Sequence, residues 1–173
     1  MIGRLEAVPA LDRPDLLADP VAAALRAVPE AQVAAIDPDL ADTGALVEAY
    51  DVPLELSANC VVVAGRRAGE QRWAACVVLA TTRADVNGVV RRRLDVRKVS
   101  FAAMADAVDA TGMEYGGITP IGVPAGWPVL VDPAVASTPL VVVGSGLRRS
   151  KLVLPGASLL RLPGAELLAG LGR

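Results

Sequence analysis

The segment Gly116-Gly117-Ile118-Thr119-Pro120-Ile121-Gly122 places three glycines and a Thr-Pro pair in seven positions. Adjacent glycines let the backbone reach conformations other residues avoid, and let a ligand come close to peptide N–H groups. Pro120 holds Thr119 extended and stiffens the middle of the segment. A rigid loop of this kind presents preorganised backbone donors that can hold a carbonyl or a developing oxyanion without an acidic side chain. The same composition also suits a tight structural turn between a helix and a strand. It is not a nucleotide-phosphate loop, because no Gly-Lys-Ser/Thr follows.

A second glycine pair, Gly144-Ser145-Gly146, precedes Arg148, Arg149 and Lys151. It could line the same pocket from an opposite hairpin with its cations aimed at a phosphate, or form a hairpin tip with solvated charges. Asp132, followed by Pro133, reads first as a helix N-cap and second as a site residue. Lys98 and the run Arg91-Arg92-Arg93 read as a solvated helix face, with nucleic-acid contact as the second reading. There is no histidine, which removes the commonest general base and metal ligand. Cys60 and Cys76 each sit inside an apolar run and read as packing thiols. Two thiols without histidine do not build a tetrahedral zinc site. No metal or cofactor is expected.

These residues must be positioned by elements the pattern of side chains suggests. Residues 14–28 read as a helix that Pro20 divides, and residues 32–36 as a short strand. Thr43 is placed to cap a helix ending near Tyr50. The runs from Asn59 to Ala64 and from Trp73 to Ala80 are Val-rich and continuous. They read as strands buried on both faces, joined as a hairpin by the polar, glycine-containing segment between them. Val86, Val89, Val90 and Leu94 lie at helical spacing. So do Phe101, Met104, Ala105 and Val108, with Ser100 as N-cap and Gly112 as the stop. Strands are expected at Pro128–Asp132, Leu140–Val143 and Lys151–Leu154, and a last helix at about Ala165–Leu171. Strands that come in hairpins, with helices grouped between them, predict an α+β domain with a curled antiparallel or mixed sheet.

The chain has 173 residues, enough for one domain with a sizeable core, and is 53% hydrophobic with a mean hydropathy of +0.46. That composition excludes a disordered chain. Aromatics are only 3%, so the core must be built from small and β-branched side chains. No apolar run approaches the roughly 18 residues of a membrane span. The start of the chain lacks a basic region followed by an apolar stretch, so the expected location is the cytoplasm. Charge is unevenly placed: residues 1–56 carry 11 Asp/Glu and 3 Arg, whereas residues 57–173 carry 8 Asp/Glu and 14 Arg/Lys. The surplus of cations points to an anionic partner for the C-terminal part, or to neutralisation between the two regions across the fold.

The stretch from about Ala58 to Leu154 resembles the YbaK/prolyl-tRNA-synthetase-associated editing domain family. The matching elements come in family order. They are two apolar strands, a helical segment ending at Thr111-Gly112, the loop Gly116–Gly122, Pro128-Val-Leu-Val-Asp132, and Val143-Gly-Ser-Gly146. Residues 58–154 are the core of the resemblance, residues 1–50 match loosely, and residues 1–173 read as one such domain. The resemblance implies an α+β fold around a twisted, partly barrel-like mixed or antiparallel sheet flanked by helices. It implies hydrolysis of a mischarged aminoacyl ester at the 3′ end of tRNA, with aminoacyl-tRNA as partner and an aminoacyl-tRNA synthetase as a further one. On that reading Gly116, Gly117 and Ile118 hold the ester carbonyl. Thr119, Pro120, Gly122, Asp132, Gly144, Ser145, Gly146, Arg148 and Lys98 face the substrate. Active members of the family carry a lysine at the start of the first long apolar strand, where this chain has Asn59. Asn59 retains hydrogen-bonding capacity and loses the charge. The chain is therefore expected to be a deacylase whose cation comes from elsewhere, Lys98 or Lys151, or a weakened module that binds a tRNA end or small ester. A scaffold role for residues 1–50 is the third expectation.

Overall fold

The computed structural model describes residues 2–173. Its strands are β1 (Ala7–Pro9), β2 (Gln32–Ala35), β3 (Ala58–Arg67), β4 (Glu70–Leu79), β5 (Val99–Phe101), β6 (Val129–Val131), β7 (Val141–Gly144), β8 (Ser150–Leu154) and β9 (Ala165–Leu167). Its helices are α1 (Asp19–Ala24), α2 (Thr43–Tyr50), α3 (Arg91–Leu94), α4 (Met104–Thr111) and α5 (Pro133–Ser137). They form two sheets. One has the order β1-β2-β8-β7 and is antiparallel throughout. The other has the order β5-β3-β4-β6-β9, in which β6 runs parallel to both β4 and β9. The two sheets adjoin where Ser57, just before β3, bridges Val142 of β7.

The Val-rich runs are continuous because both faces of each sheet are covered. Between the sheets, Val33, Val143 and Leu152 of the first meet Ala75, Val77, Val129 and Val131 of the second, with Val21 and Leu25 closing the end. The alternate residues Ala74, Cys76 and Val78 point the other way, under Val86, Val90 and Leu94. On the outer face of the first sheet, Ala34, Val142 and Val153 pack beneath Leu46 of α2. Trp73 of β4 stacks on Trp127 ahead of β6, with ring centroids 5.0 Å apart and planes 4° from parallel. No helix among the described residues is long and apolar enough to cross a membrane.

The α+β architecture and the long hairpin follow the sequence reading, and four local expectations change. Ser100 is not an N-cap: it lies in β5, which pairs with β3 through Val63↔Phe101 and Gly65↔Val99, and α4 begins later, at Met104. Phe101 and Met104 are consequently exposed, and Ala107 and Thr111 are the buried residues of the helix. Residues 165–167 are a strand rather than part of a last helix, because Ala165 and Leu167 pair beside Val129 and Val131 of β6. A helix of seven residues has little stability of its own, so ladder hydrogen bonds to a buried strand prevail. Residues 14–28 break into a 3₁₀ turn, the short α1 and another 3₁₀ turn instead of one divided helix. Thr43 is the first residue of α2, with Asp42 at the cap position.

Leu152 has no exposed surface and sits in the core shared by both sheets. Leu152→Ala is expected to destabilise the fold by about 2–5 kcal/mol through the cavity it leaves, read from urea unfolding; an effect no larger than that of a surface substitution would show that the sheets do not pack as described.

Candidate functional site

The loop from Tyr115 to Ile118 lies against the turn between β7 and β8 and is fastened to it by backbone hydrogen bonds. Glu114 N–H donates to Gly146 O at 2.8 Å, and Gly146 N–H donates to Gly117 O at 2.7 Å. The Glu114 carboxylate accepts from Arg148 N–H at 2.7 Å. This closeness requires glycine on both sides. A side chain at Gly144 would overlap the Gly117 and Ile118 carbonyl oxygens, and one at Gly117 would come within 2.7 Å of the Leu147 backbone.

A cavity of about 340 Å³ opens beside this junction. Asn59 and Cys60 reach it from the start of β3, Asp42 and Thr43 from the start of α2, and Tyr115, Gly116 and Ile118 from the loop. Gly144 of β7 and, directly opposite it in the ladder, Lys151 of β8 also line it. Lys151 is buried, and its Nζ donates to Gly116 O at 3.2 Å. Desolvation lowers its pKa from the ordinary 10.5 to about 8; the nearby Arg148 adds to this and Asp42 opposes it. At neutral pH it remains mostly an ammonium ion, held out of water next to a cavity. Asn59 Oδ1 accepts a hydrogen bond from Thr43 Oγ1 at 3.0 Å, leaving its amide NH₂ without a protein partner among the described residues. Cys60 is a neutral thiol here, because burial, with Cys76 beside it, pushes its pKa up.

The cavity draws on Asn59, Gly116, Ile118, Gly144 and Lys151 among the residues named from sequence, and the others sit elsewhere. The Gly117 N–H is already donated to Glu114 O at 3.0 Å, whereas those of Gly116 and Ile118 have no hydrogen-bond partner among the described residues. Arg148 acts as a clasp: Nε and Nη2 donate to Pro38 O at 3.2 and 3.0 Å, and Nη1 donates to Tyr115 O at 3.2 Å, with Asp42 3.8 Å away. Thr119 is fully buried and its hydroxyl has no partner among the described residues. The Ser145 hydroxyl is internal, 2.7 Å from Ser150 Oγ, and Gly146 packs on Ala18. Asp132 caps α5 by accepting from Ala134 N–H at 2.7 Å, and its other oxygen accepts from Gly172 N–H. Pro120 and Gly122 face a separate cavity of about 450 Å³, whose charged residues, Arg93 and Glu166, pair with each other. Lys98 lies in another groove, beside the far end of β3.

Asp42, Thr43 and Tyr115 were not anticipated, since nothing local marks the start of α2 as part of a site. The signal for Lys151 was present as a lysine inside an apolar strand, Ser-Lys-Leu-Val-Leu, a type almost never fully buried without a reason. As an arrangement, the cavity offers one desolvated cation and one free side-chain amide, and two of its lining residues carry backbone N–H groups with no partner among the described residues. Such a set holds the oxygen of a polarised carbonyl or a phosphate.

Residues 37–162 match the aminoacyl-tRNA editing domain family. No match was found among curated proteins. Among solved structures, the chain is similar to a candidate trans-editing enzyme for prolyl tRNA synthetase, with 20% identity and a TM-score of 0.74 over 88% of this chain and 94% of that one. It is also similar to a protein described only as hypothetical, at 17% identity and TM-score 0.78, covering 90% of this chain and 100% of the other. At these identities the structural likeness speaks for the fold.

Because the folded protein gives up the Lys151 proton near pH 8 and the unfolded chain only near 10.5, burial of the charge weakens the fold below that window, and stability rises with pH across it. Lys151→Met is expected to raise the thermal midpoint at neutral pH and to flatten the rise between these pH values. A lower midpoint would mean that the ammonium stabilises the fold and is not held there against its solvation preference.

Proposed function

The chain belongs to the aminoacyl-tRNA editing domain family, and we propose that within it the protein hydrolyses the ester of a mischarged aminoacyl-tRNA, acting in trans and in the cytoplasm. The observation that supports this reading is that Lys151, Asn59, Gly116 and Ile118 line one cavity, and that the backbone N–H groups of Gly116 and Ile118 have no hydrogen-bond partner among the described residues. An aminoacyl ester is already activated, so a protein needs mainly to position water and stabilise the negative charge that forms on the carbonyl oxygen. Lys151 and the two backbone donors supply that stabilisation. Water adds to the carbonyl carbon, the bond to the ribose oxygen breaks, and that oxygen leaves with a proton as the free hydroxyl of the tRNA. Asn59, held by Thr43, orients the substrate through its free amide. No histidine is required for these steps. Association with an aminoacyl-tRNA synthetase would deliver the substrate and remains part of the proposal.

Asn59 also supports a second reading, in which the chain keeps the pocket and binds a tRNA end or small ester without turning it over. The two diverge on a panel of mischarged tRNAs. On the first reading at least one is deacylated, and Lys151→Met slows that reaction by roughly 10²–10³-fold, the usual loss on removing one oxyanion donor. Binding with no turnover on any member of the panel, together with a gain of hydrolysis in Asn59→Lys, would establish the binding module instead.

A further inference from the structure

The positive surplus of residues 57–173 comes from one place. Residues 65–72 and 91–98 hold eight Arg and Lys against Glu70 and Asp95, a local net of +6, and the remainder of that part carries equal numbers of each sign. The two segments are brought together by the β3–β5 pairing, and Arg67 reaches Asp95 at 2.6 Å. Asp95 also takes Arg72, and Glu166 takes Arg93. Arg66, Arg97 and Lys98 are exposed and have no carboxylate within ion-pairing distance among the described residues. They line one groove, in which Asp106 is the sole carboxylate.

That groove and the ester cavity lie along the same strand. Asn59 is at one end of β3 and Arg66 near the other, seven residues on, or about 23 Å at the ~3.3 Å rise of a strand. Between them Phe101 stands opposite Val63, and Ala102 N–H donates to Val62 O at 2.9 Å. Phe101 is 61% exposed and Tyr115, at the cavity, is 53% exposed. In a chain with five aromatic residues, two large rings in water beside one strand call for a partner with flat apolar faces. Bases stack on such rings, and the phosphates that link them pair with arginine and lysine.

We propose that this track, from Tyr115 past Phe101 to Arg66, Arg97 and Lys98, is the path of the 3′ strand of tRNA leading into the ester cavity. At ~3.4 Å per stacked nucleotide it spans about seven nucleotides, the unpaired 3′ end and the first base pairs of the acceptor stem. The proposal rests on the editing reading for the identity of the RNA. Its predictions about binding do not depend on turnover.

The test uses the full chain, an intact uncharged tRNA transcript, and the same transcript lacking its unpaired 3′ nucleotides. In wild type the intact transcript should bind more tightly than the truncated one. The triple variant Arg66→Glu/Arg97→Glu/Lys98→Glu should bind the intact transcript about tenfold or more weakly, with a shallower dependence on salt. Phe101→Ala should lose about tenfold and keep the salt slope. Hydrolysis of a 3′-aminoacyl-adenosine, too short to reach the track, should be unchanged in both variants, which also reports that they fold. Wild-type affinity in the triple variant, or equal wild-type affinity for the two transcripts, overturns the proposal. Patch-dependent binding in a protein that deacylates nothing supports the track while removing the deacylase reading.

Discussion

A lysine ammonium withdrawn from water needs compensation from the groups around it, and in this fold the compensation for Lys151 organises the site. Its partner is the Gly116 carbonyl, 3.2 Å away, which is available only because the loop after α4 is pressed onto the β7–β8 turn. On the β7 side the residue opposite Lys151 in the ladder is Gly144, so no side chain from that strand crowds the space that the loop and the lysine stem share. Asp42 lies close enough to favour the charge, and Arg148 disfavours it. The result is a cation held at the edge of a cavity with its pKa lowered to about 8, suited to stabilising negative charge that appears only during a reaction.

The acidic N-terminal region takes part in this arrangement more than its sequence suggested. Arg148 gathers the Pro38 carbonyl, Asp42 and the Tyr115 carbonyl around one guanidinium, which sets the start of α2 against the cavity. Arg161 pairs with Glu30 in the same sense. The charge asymmetry thus has two components. Cations near the C-terminal strands find partners in the first 56 residues, while those at the tip of the β3–β4 hairpin and the segment before β5 stay in solvent. The first component holds the fold together; the second is open to a polyanion.

Much of this was legible in the chain itself. The two Val-rich runs announce strands covered on both sides, and the faces alternate as they must, Ala75 and Val77 toward one core and Ala74, Cys76 and Val78 toward the other. Asp132 before Pro133 reads as an N-cap and is one. The loop Gly116–Gly122 was recognisable as a backbone feature. Its division was not: Gly116 and Ile118 face one cavity, Thr119 is buried, and Pro120 and Gly122 border another. Residues two apart in an irregular segment can point anywhere, since no period relates them.

What the sequence by itself determined was the set of elements whose burial pattern repeats locally, together with the places where only glycine or a capping carboxylate fits. It also determined that no histidine chemistry is available. The tertiary structure alone decided which cation lines the cavity beside the Gly116 loop. Lys98 and Lys151 are equal candidates along the chain, yet one ends in a solvent groove beside the far end of β3 and the other in the ladder opposite Gly144. It likewise made a strand of Val99–Phe101 and of Ala165–Leu167 where local spacing favoured helix. Both outcomes have the same cause. Strand pairing and desolvation depend on neighbours distant in sequence, and their free energies exceed the small local preferences that a linear reading detects.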